Sequence, residues 1–360
     1  MRRRWLRLAG LVAAVVAVHL AAGWAGKPFY LTQLTMAGYY TLVAVGLSLL
    51  MGFAGQISMA HAAFFAIGGY VTAVLTTLDL SAGRGRGLAG LLQRAGLLVA
   101  FRDAAGAGQL ALHPWPAAVV AVALAAAVAV AIGVPVLRLK GHYLAMATLG
   151  FGTIVIAALV GTERLGAADG LTGVPPFPLA GGLVIGGGRD GRVANYYVAW
   201  GLVAVAMWLL GNLVESRVGR ALRAIHGAED AAASMGVDVG RYKLATFVIS
   251  AALAALGGVG LTHLTGGIGP GEASVMKSVR YVAVVAVGGM GSLWGTLATS
   301  ALLTFLSLRG TFGTYDDAVF AAILLVVMLF SPDGVLRADL RGAARALWAR
   351  GRPRPDAEAP

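Results

Sequence analysis

The sequence predicts an all-α integral membrane protein with about ten transmembrane helices and glycine-marked breaks. Three observations carry this reading. Of the 360 residues, 58% are hydrophobic and only 12% are charged. A soluble domain carries about 25% charged residues, so the chain cannot coat a water-facing surface. Eight stretches lack Asp, Glu, Lys and Arg: 8–26, 28–78, 104–137, 141–162, 193–214, 244–271, 281–308 and 318–332. A crossing helix needs about 20 apolar residues, and most of these stretches supply them. Finally, the net charge of +12 is concentrated between the stretches rather than along a surface helix. A soluble enzyme, a nucleic-acid-binding domain and a disordered chain are all excluded. Cysteine is absent, which excludes disulfides, zinc ribbons and thiol catalysis.

Two stretches are too long for one pass. Residues 28–78 would make a helix of about 76 Å against a hydrocarbon core of about 30 Å. Gly52-Phe53-Ala54-Gly55-Gln56 breaks that stretch, and Gly288-Gly289-Met290-Gly291-Ser292 breaks 281–308. Ten passes result: about 6–24, 29–51, 61–78, 115–137, 142–161, 194–214, 244–264, 277–289, 293–308 and 317–331. With the N-terminus inside, the inner segments hold 17 cations and the outer ones 11, against eight acids on each side. This matches the positive-inside bias and puts both termini in the cytoplasm. A re-entrant hairpin at 281–308 has the same parity as two crossings and stays open.

Arg2-Arg3-Arg4-Trp5-Leu6-Arg7 reads as the basic flank of an uncleaved first helix. Residues 1–335 form the transmembrane domain. Within it, 79–114 is an extracytoplasmic insertion, either an amphipathic segment on the interface or unstructured. Residues 215–243 form a cytoplasmic loop, and 336–360 a basic, partly disordered tail. No P-loop is present, and both Gly-x-Gly-x-x-Gly matches (from Gly85 and Gly186) fall in outer loops with no preceding strand. The six histidines are scattered without metal spacing. No cofactor, metal or catalytic residue is expected.

Four stretches go beyond composition. In Gly52–Tyr70, the polar residues Gln56, Ser58 and His61 stand beside a broken backbone. That combination is tolerated only where it is buried in protein or lines a wet cavity, so path lining and helix packing are both open. Leu137–Gly152 opens on a basic turn and enters a helix carrying Thr148, with Gly150 and Gly152 suited to packing. The inner loop from Ser216 to Lys243 contains Glu229 and Asp230 in the first turn of a short helix over 229–235. Acids there suit the helix dipole, and Gly236 is a stop. A helix this short is not stable alone, so it either docks on a partner or serves as a solvated connector. Gly288–Gly295 combines a flexible break with a Gly291-x-x-x-Gly295 packing face.

Together, in this order, the four stretches resemble the membrane-spanning permease subunit of bacterial ABC importers for branched-chain amino acids. The likeness is to the longer subunit type with an extra N-terminal helix. It runs from about 29 to 335, excluding most of 80–113. It implies a coupling loop at Glu229, Asp230, Ala231, Ala232, Met235 and Gly236 that contacts an ATPase. It also implies a translocation path near Gln56, Ser58, His61 and Thr148. The implied partners are a sibling permease, two cytoplasmic ATPases and an extracytoplasmic binding protein, all at the bacterial inner membrane, with an amino acid as substrate and no nucleic acid. A urea or short-amide importer permease of the same family is the alternative. An ion-coupled secondary transporter is the rival from another class, but none of the ten spans has an acid near its centre. The sequence departs from the family at Ala60, His142 and Thr153, and at Lys277 and Arg280, which are expected to snorkel from a helix end.

Overall fold

The computed structural model describes residues 2–81, 90, 93–102, 108–179, 182–188, 191–311 and 313–330. The expected disordered tail, 336–360, lies outside them. The helices are α1 Arg2–Trp24, α2 Phe29–Ala54, α3 His61–Thr77, α4 Pro114–Val136, α5 His142–Gly161 and α6 Arg192–Glu215. The short helices α7 Arg217–Gly227 and α8 Glu229–Ser234 follow. Then come α9 Val239–Thr265, α10 Val275–Gly288, α11 Leu293–Leu308 and α12 Asp316–Phe330. Six of these (α1, α2, α4, α5, α6 and α9) are long and apolar enough to cross a membrane by themselves.

Local chemistry sets the ends. Gly55 adopts φ +67° and its N–H bonds the carbonyl of Leu50, stopping α2. Gly266, at φ +71°, stops α9 in the same way. Ser216, Asp238, Ser274 and Ser292 each accept a backbone N–H at the start of α7, α9, α10 and α11. Such caps satisfy donors that a helix leaves orphaned. Pro114 opens α4, where its missing N–H costs nothing.

Helices α2, α3 and α9 form the centre of the bundle. In the most apolar stretch of α2, 83% of residues are inside the protein, against 11% for α1, which leans on the periphery. Glycines permit the central crossings. A Cβ on Gly68 would stand 2.2 Å from the Ala255 carbonyl oxygen, and one on Gly258 would stand 1.9 Å from that of Phe65. Backbones this close are the small-residue packing expected between membrane helices, where lipid supplies no hydrophobic drive.

Helices α10 and α11 form an antiparallel hairpin beside α2. At one end the Gln33 amide donates to the Leu308 carbonyl at 3.1 Å; at the other a Cβ on Gly52 would meet Gly291. Those positions on α2 are about 28 Å apart at 1.5 Å per residue, close to the thickness of a hydrocarbon core. The glycine face splits differently from the expected Gly291-x-x-x-Gly295 pattern. Gly295 packs on Gly288 across the hairpin, while Gly291 packs on Gly52 of another helix.

Three two-stranded ribbons lie at the end of the bundle where α3 finishes. They pair β1 Leu98–Arg102 with β2 Gly108–Leu112, β3 Leu171–Thr172 with β6 Gly267–Ile268, and β4 Phe177–Pro178 with β5 Val184–Ile185. We call this the ribbon end; α7 and α8 lie at the other, the short-helix end. The described part of the 79–114 segment is not structureless: residues 90, 93 and 94 are helical and a strand pair follows. Its two strands pair from Leu98 with Leu112 to Arg102 with Gly108. Leu110, Ala111 and Leu112 are buried, so the second strand is held by packing as well as by its ladder.

Candidate translocation and coupling site

The break between α2 and α3 starts at one end of the bundle and re-enters it before α3 begins. Gly55 lies at the short-helix end, where a Cβ would stand 3.2 Å from the His226 Nδ1 of α7. His61, six residues on, bonds Ser250 on α9 at 2.6 Å. Ser250 is seven residues beyond Lys243 at the start of that helix, about 10 Å further into the bundle. Helix α3 therefore begins inside, after an extended climb. Side chains alternate along an extended chain, and here Gln56 and Ser58 turn inward while Gly55 and Ile57 are exposed.

Three helices stitch this segment in place. The Met59 N–H donates to Thr148 Oγ1 of α5 at 3.0 Å, and that hydroxyl donates to the Ala145 carbonyl. The Ala62 N–H donates to Ser278 Oγ of α10 at 3.2 Å. Ser58 Oγ accepts the Ala60 N–H. Irregular backbone at this depth needs such partners because no water is there to supply them. All four expected path residues, Gln56, Ser58, His61 and Thr148, come together around the break, and all are buried in this conformation. His61 is ringed by Phe64 and Phe247, the setting of a core histidine. Among the described residues the Gln56 amide has no hydrogen-bond partner at either Nε2 or Oε1. Ser250 and Ser278 escaped sequence reasoning, because lone serines in apolar spans carry no pattern until the fold sets them opposite orphan donors. Gly150 has open space beside it, and Gly152 meets only the Met59 carbonyl at 3.6 Å. Neither makes a tight contact among the described residues.

The loop expected to couple is a pair of short helices. Helix α7 buries Leu222 and Ile225, laying one apolar face on the end of the bundle. Helix α8 ends one residue earlier than the sequence implies, at Ser234, with Gly236 at φ +82°. There the Val237 N–H bonds the Ala232 carbonyl at 3.1 Å, the closing bond of a Schellman stop. The acids at its start are anchors. Glu229 pairs with Lys243 of α9 at 2.5 Å, and the lysine side chain is only 6% exposed. Asp230 pairs with Lys140 in the α4–α5 turn at 3.0 Å, in full solvent. The Asp230 hydrogen bond and charge hold the Lys140 ammonium above its ordinary pKa. Ala232 faces inward, whereas Met235 is 84% exposed, an apolar side chain at the tip of the loop.

The cations of α10 are ion-paired. Lys277 pairs with Glu272, whose carboxylate also accepts the Tyr40 hydroxyl at 3.2 Å. Arg280 pairs with Asp316 and Asp317 at the start of α12 and lies over the Phe320 ring. Each charge has an acidic partner on a neighbouring element, which removes the cost of leaving it alone near lipid. Among the described residues no cluster of His, Asp and Glu is placed to hold a metal ion.

These features coincide with a known family pattern. The family model described as branched-chain amino acid transport system / permease component matches residues 29–331. This chain belongs to that permease family. The high-affinity branched-chain amino acid transport system permease protein LivM of Escherichia coli is 28% identical over 351 residues, covering 91% of this chain and 74% of that protein. LivH of the same organism is 27% identical, covering 84% of this chain and 92% of LivH. BraD of Pseudomonas aeruginosa, also a high-affinity branched-chain amino acid permease protein, is 28% identical, covering 85% and 95%. No solved structure matches the chain. The permease match begins at the start of α2 and ends at the end of α12, leaving α1 outside it. It includes the break, the short-helix loop and the glycine hairpin.

Proposed function

We propose that this permease is the membrane subunit of an ATP-driven importer for branched-chain amino acids in the bacterial inner membrane. The match of the family pattern over 29–331 carries the proposal. Its partners are a sibling permease, two cytoplasmic ATPases and an extracytoplasmic binding protein. The chain crosses the membrane ten times with both termini inside. The 28 Å reach of the α10–α11 hairpin supports counting it as two crossings, and charge favours the short-helix end as the cytoplasmic one. Residues 215–243 then form the coupling loop and 79–114 an external insertion.

In this reading Met235, with Gly236 beside it, seats in a groove on the ATPase. Glu229 and Asp230 carry the push to α9 and to the α4–α5 turn through their ion pairs. Ala231 and Ala232 complete the helix between those anchors. The path runs past the break between α2 and α3. Helix α5 packs lightly, with 22% of its apolar stretch inside, and Thr148 is its hydrogen-bonded tie to the break. Movement of α5 exposes Gln56 and Ser58 to the substrate, while His61 holds the start of α3 to Ser250.

The test is uptake by proteoliposomes holding this chain with its sibling permease and ATPases, with the binding protein outside and ATP inside. Leucine, isoleucine and valine should accumulate and compete with one another. ATP-dependent uptake of urea or a short amide, unaffected by leucine, would transfer the chain to the amide-transporting alternative. Uptake that follows an ion gradient without ATP would remove it from this transporter class.

A further inference from the structure

Helix α1 packs chiefly on α6, with slighter contact to α2. The Tyr196 hydroxyl donates to the Val15 carbonyl at 3.0 Å, and His19 Nδ1 meets the Tyr197 hydroxyl at 2.7 Å, both on α6. Between α1, α2 and α11 lies a groove of about 520 Å³. Val18, Leu34, Trp200, Leu297, Ala301 and Phe305 are among the residues that line it. A groove of this apolar character offers water no partners. It extends along α1 from Leu11 to Ala25, about 21 Å, enough for a chain spanning one leaflet of about 15 Å, half the hydrocarbon core.

Its mouth is at the ribbon end and carries charge. Tyr30 lines the groove, and two cations lie over that ring: Lys27 Nζ at 5.8 Å and the Arg309 guanidinium at 5.3 Å from its centroid. Neither has a carboxylate partner among the described residues. Trp24, 97% exposed, ends α1 at the same level, where interfacial aromatics anchor helices. On the topology proposed above, cations here run against the positive-inside bias, so they need a local reason.

We propose that this groove is a binding site for an anionic phospholipid. One acyl chain lies between α1 and α11, and the phosphate rests between Lys27 and Arg309. The site stands apart from the break and from the coupling loop, so it does not depend on which substrate is carried.

The test uses the full-length chain purified in detergent. Native mass spectrometry would follow retention of phosphatidylglycerol or phosphatidylcholine, and thermal melting would be read with each lipid and with inorganic phosphate. One phosphatidylglycerol should be retained and should raise the melting temperature, phosphatidylcholine should do so less, and inorganic phosphate should not. K27Q/R309Q should weaken phosphatidylglycerol binding about thirtyfold, as two surface cations imply. The exchange K27R/R309K should restore it, which separates charge from misfolding. Ala301→Phe should expel the lipid by filling the groove while leaving the cations in place. Equal retention by all variants, equal binding of both lipids, or a full effect from inorganic phosphate would overturn the site. So would displacement of the lipid when the sibling permease is added, which would make the groove a protein interface.

Discussion

Gln56 is the residue whose surroundings least suit it. Both polar atoms of its amide are buried without a partner among the described residues, and leaving a buried polar group unsatisfied costs about 1–3 kcal/mol. Gln56→Met keeps the length and removes the polar atoms. If the side chain only fills space, the variant should melt higher and transport normally. On the path reading it should melt higher and lose most of its uptake, which melting and proteoliposome uptake measured together will decide. Ser250→Ala tests the neighbouring tie. It leaves His61 Nε2 without its partner, with an expected loss of about 1–3 kcal/mol visible as a lower melting temperature. A third residue has a steric consequence. Gly258→Ala places a methyl 1.9 Å from the Phe65 carbonyl oxygen. Overpacking of this kind costs typically 1–3 kcal/mol, and backbone has little room to yield, so the melting temperature should fall clearly. An unchanged melting curve would mean that α3 and α9 cross less tightly than described.

At the scale of elements, the short helices α7 and α8 are the informative unit. Helix α8 has six residues, too few to stand alone, and its two acids tie it to two separate places on the bundle. The ties are unequal. Exposed pairs such as Lys140–Asp230 contribute little, while the mostly buried Lys243 depends on Glu229. Glu229→Gln should therefore lower both melting temperature and coupled uptake, whereas Asp230→Asn should change stability little. Replacing both members, Lys243→Met with Glu229→Met, should recover stability, because a matched apolar pair avoids the lone buried charge, but should not recover coupling. Met235→Asp should leave folding intact and raise ATP hydrolysis per molecule transported. Full coupling in that variant would place the ATPase contact elsewhere.

For the whole molecule, topology is the proposal that most needs a measurement, and the absence of cysteine makes it clean. Single cysteines at Ser81, Ser234, Met290 and Thr311 can be probed with a membrane-impermeant thiol reagent. Ser81 and Thr311 should label in intact cells; Ser234 and Met290 should label only after the membrane is opened. Protection of Met290 under both conditions would mean that the α10–α11 hairpin turns within the membrane rather than crossing it. The same arrangement explains why the break is tolerated. Ties to Thr148 of α5, Ser250 of α9 and Ser278 of α10 hold the irregular segment and the start of α3, so Gln56 and Ser58 stay buried although Gly55 and Ile57 are exposed.

Composition alone determined that this chain lives in a membrane, since 12% charged residues leave no soluble alternative. The glycine breaks at 52–56 and 288–292 were legible because a helix longer than the membrane must end somewhere, and glycine is where a left-handed stop costs least. The four ordered motifs named the family. Pairing was not legible. Lys277 pairs across a local turn with Glu272, five residues earlier, whereas Arg280 read as an isolated cation because Asp316 and Asp317 lie on an element that only folding brings near. Glu229 and Asp230 read as dipole-stabilising acids for the same reason. The inward turn of Gln56 and Ser58 needed the backbone to be extended rather than helical. The β1–β2 ribbon needed a partner strand that no local periodicity announces. The sequence carries what depends on hydropathy and on single-residue backbone preference. Tertiary structure decides what depends on distance between residues far apart in the chain, because a charge or hydroxyl has no assigned role until a partner stands within hydrogen-bonding reach.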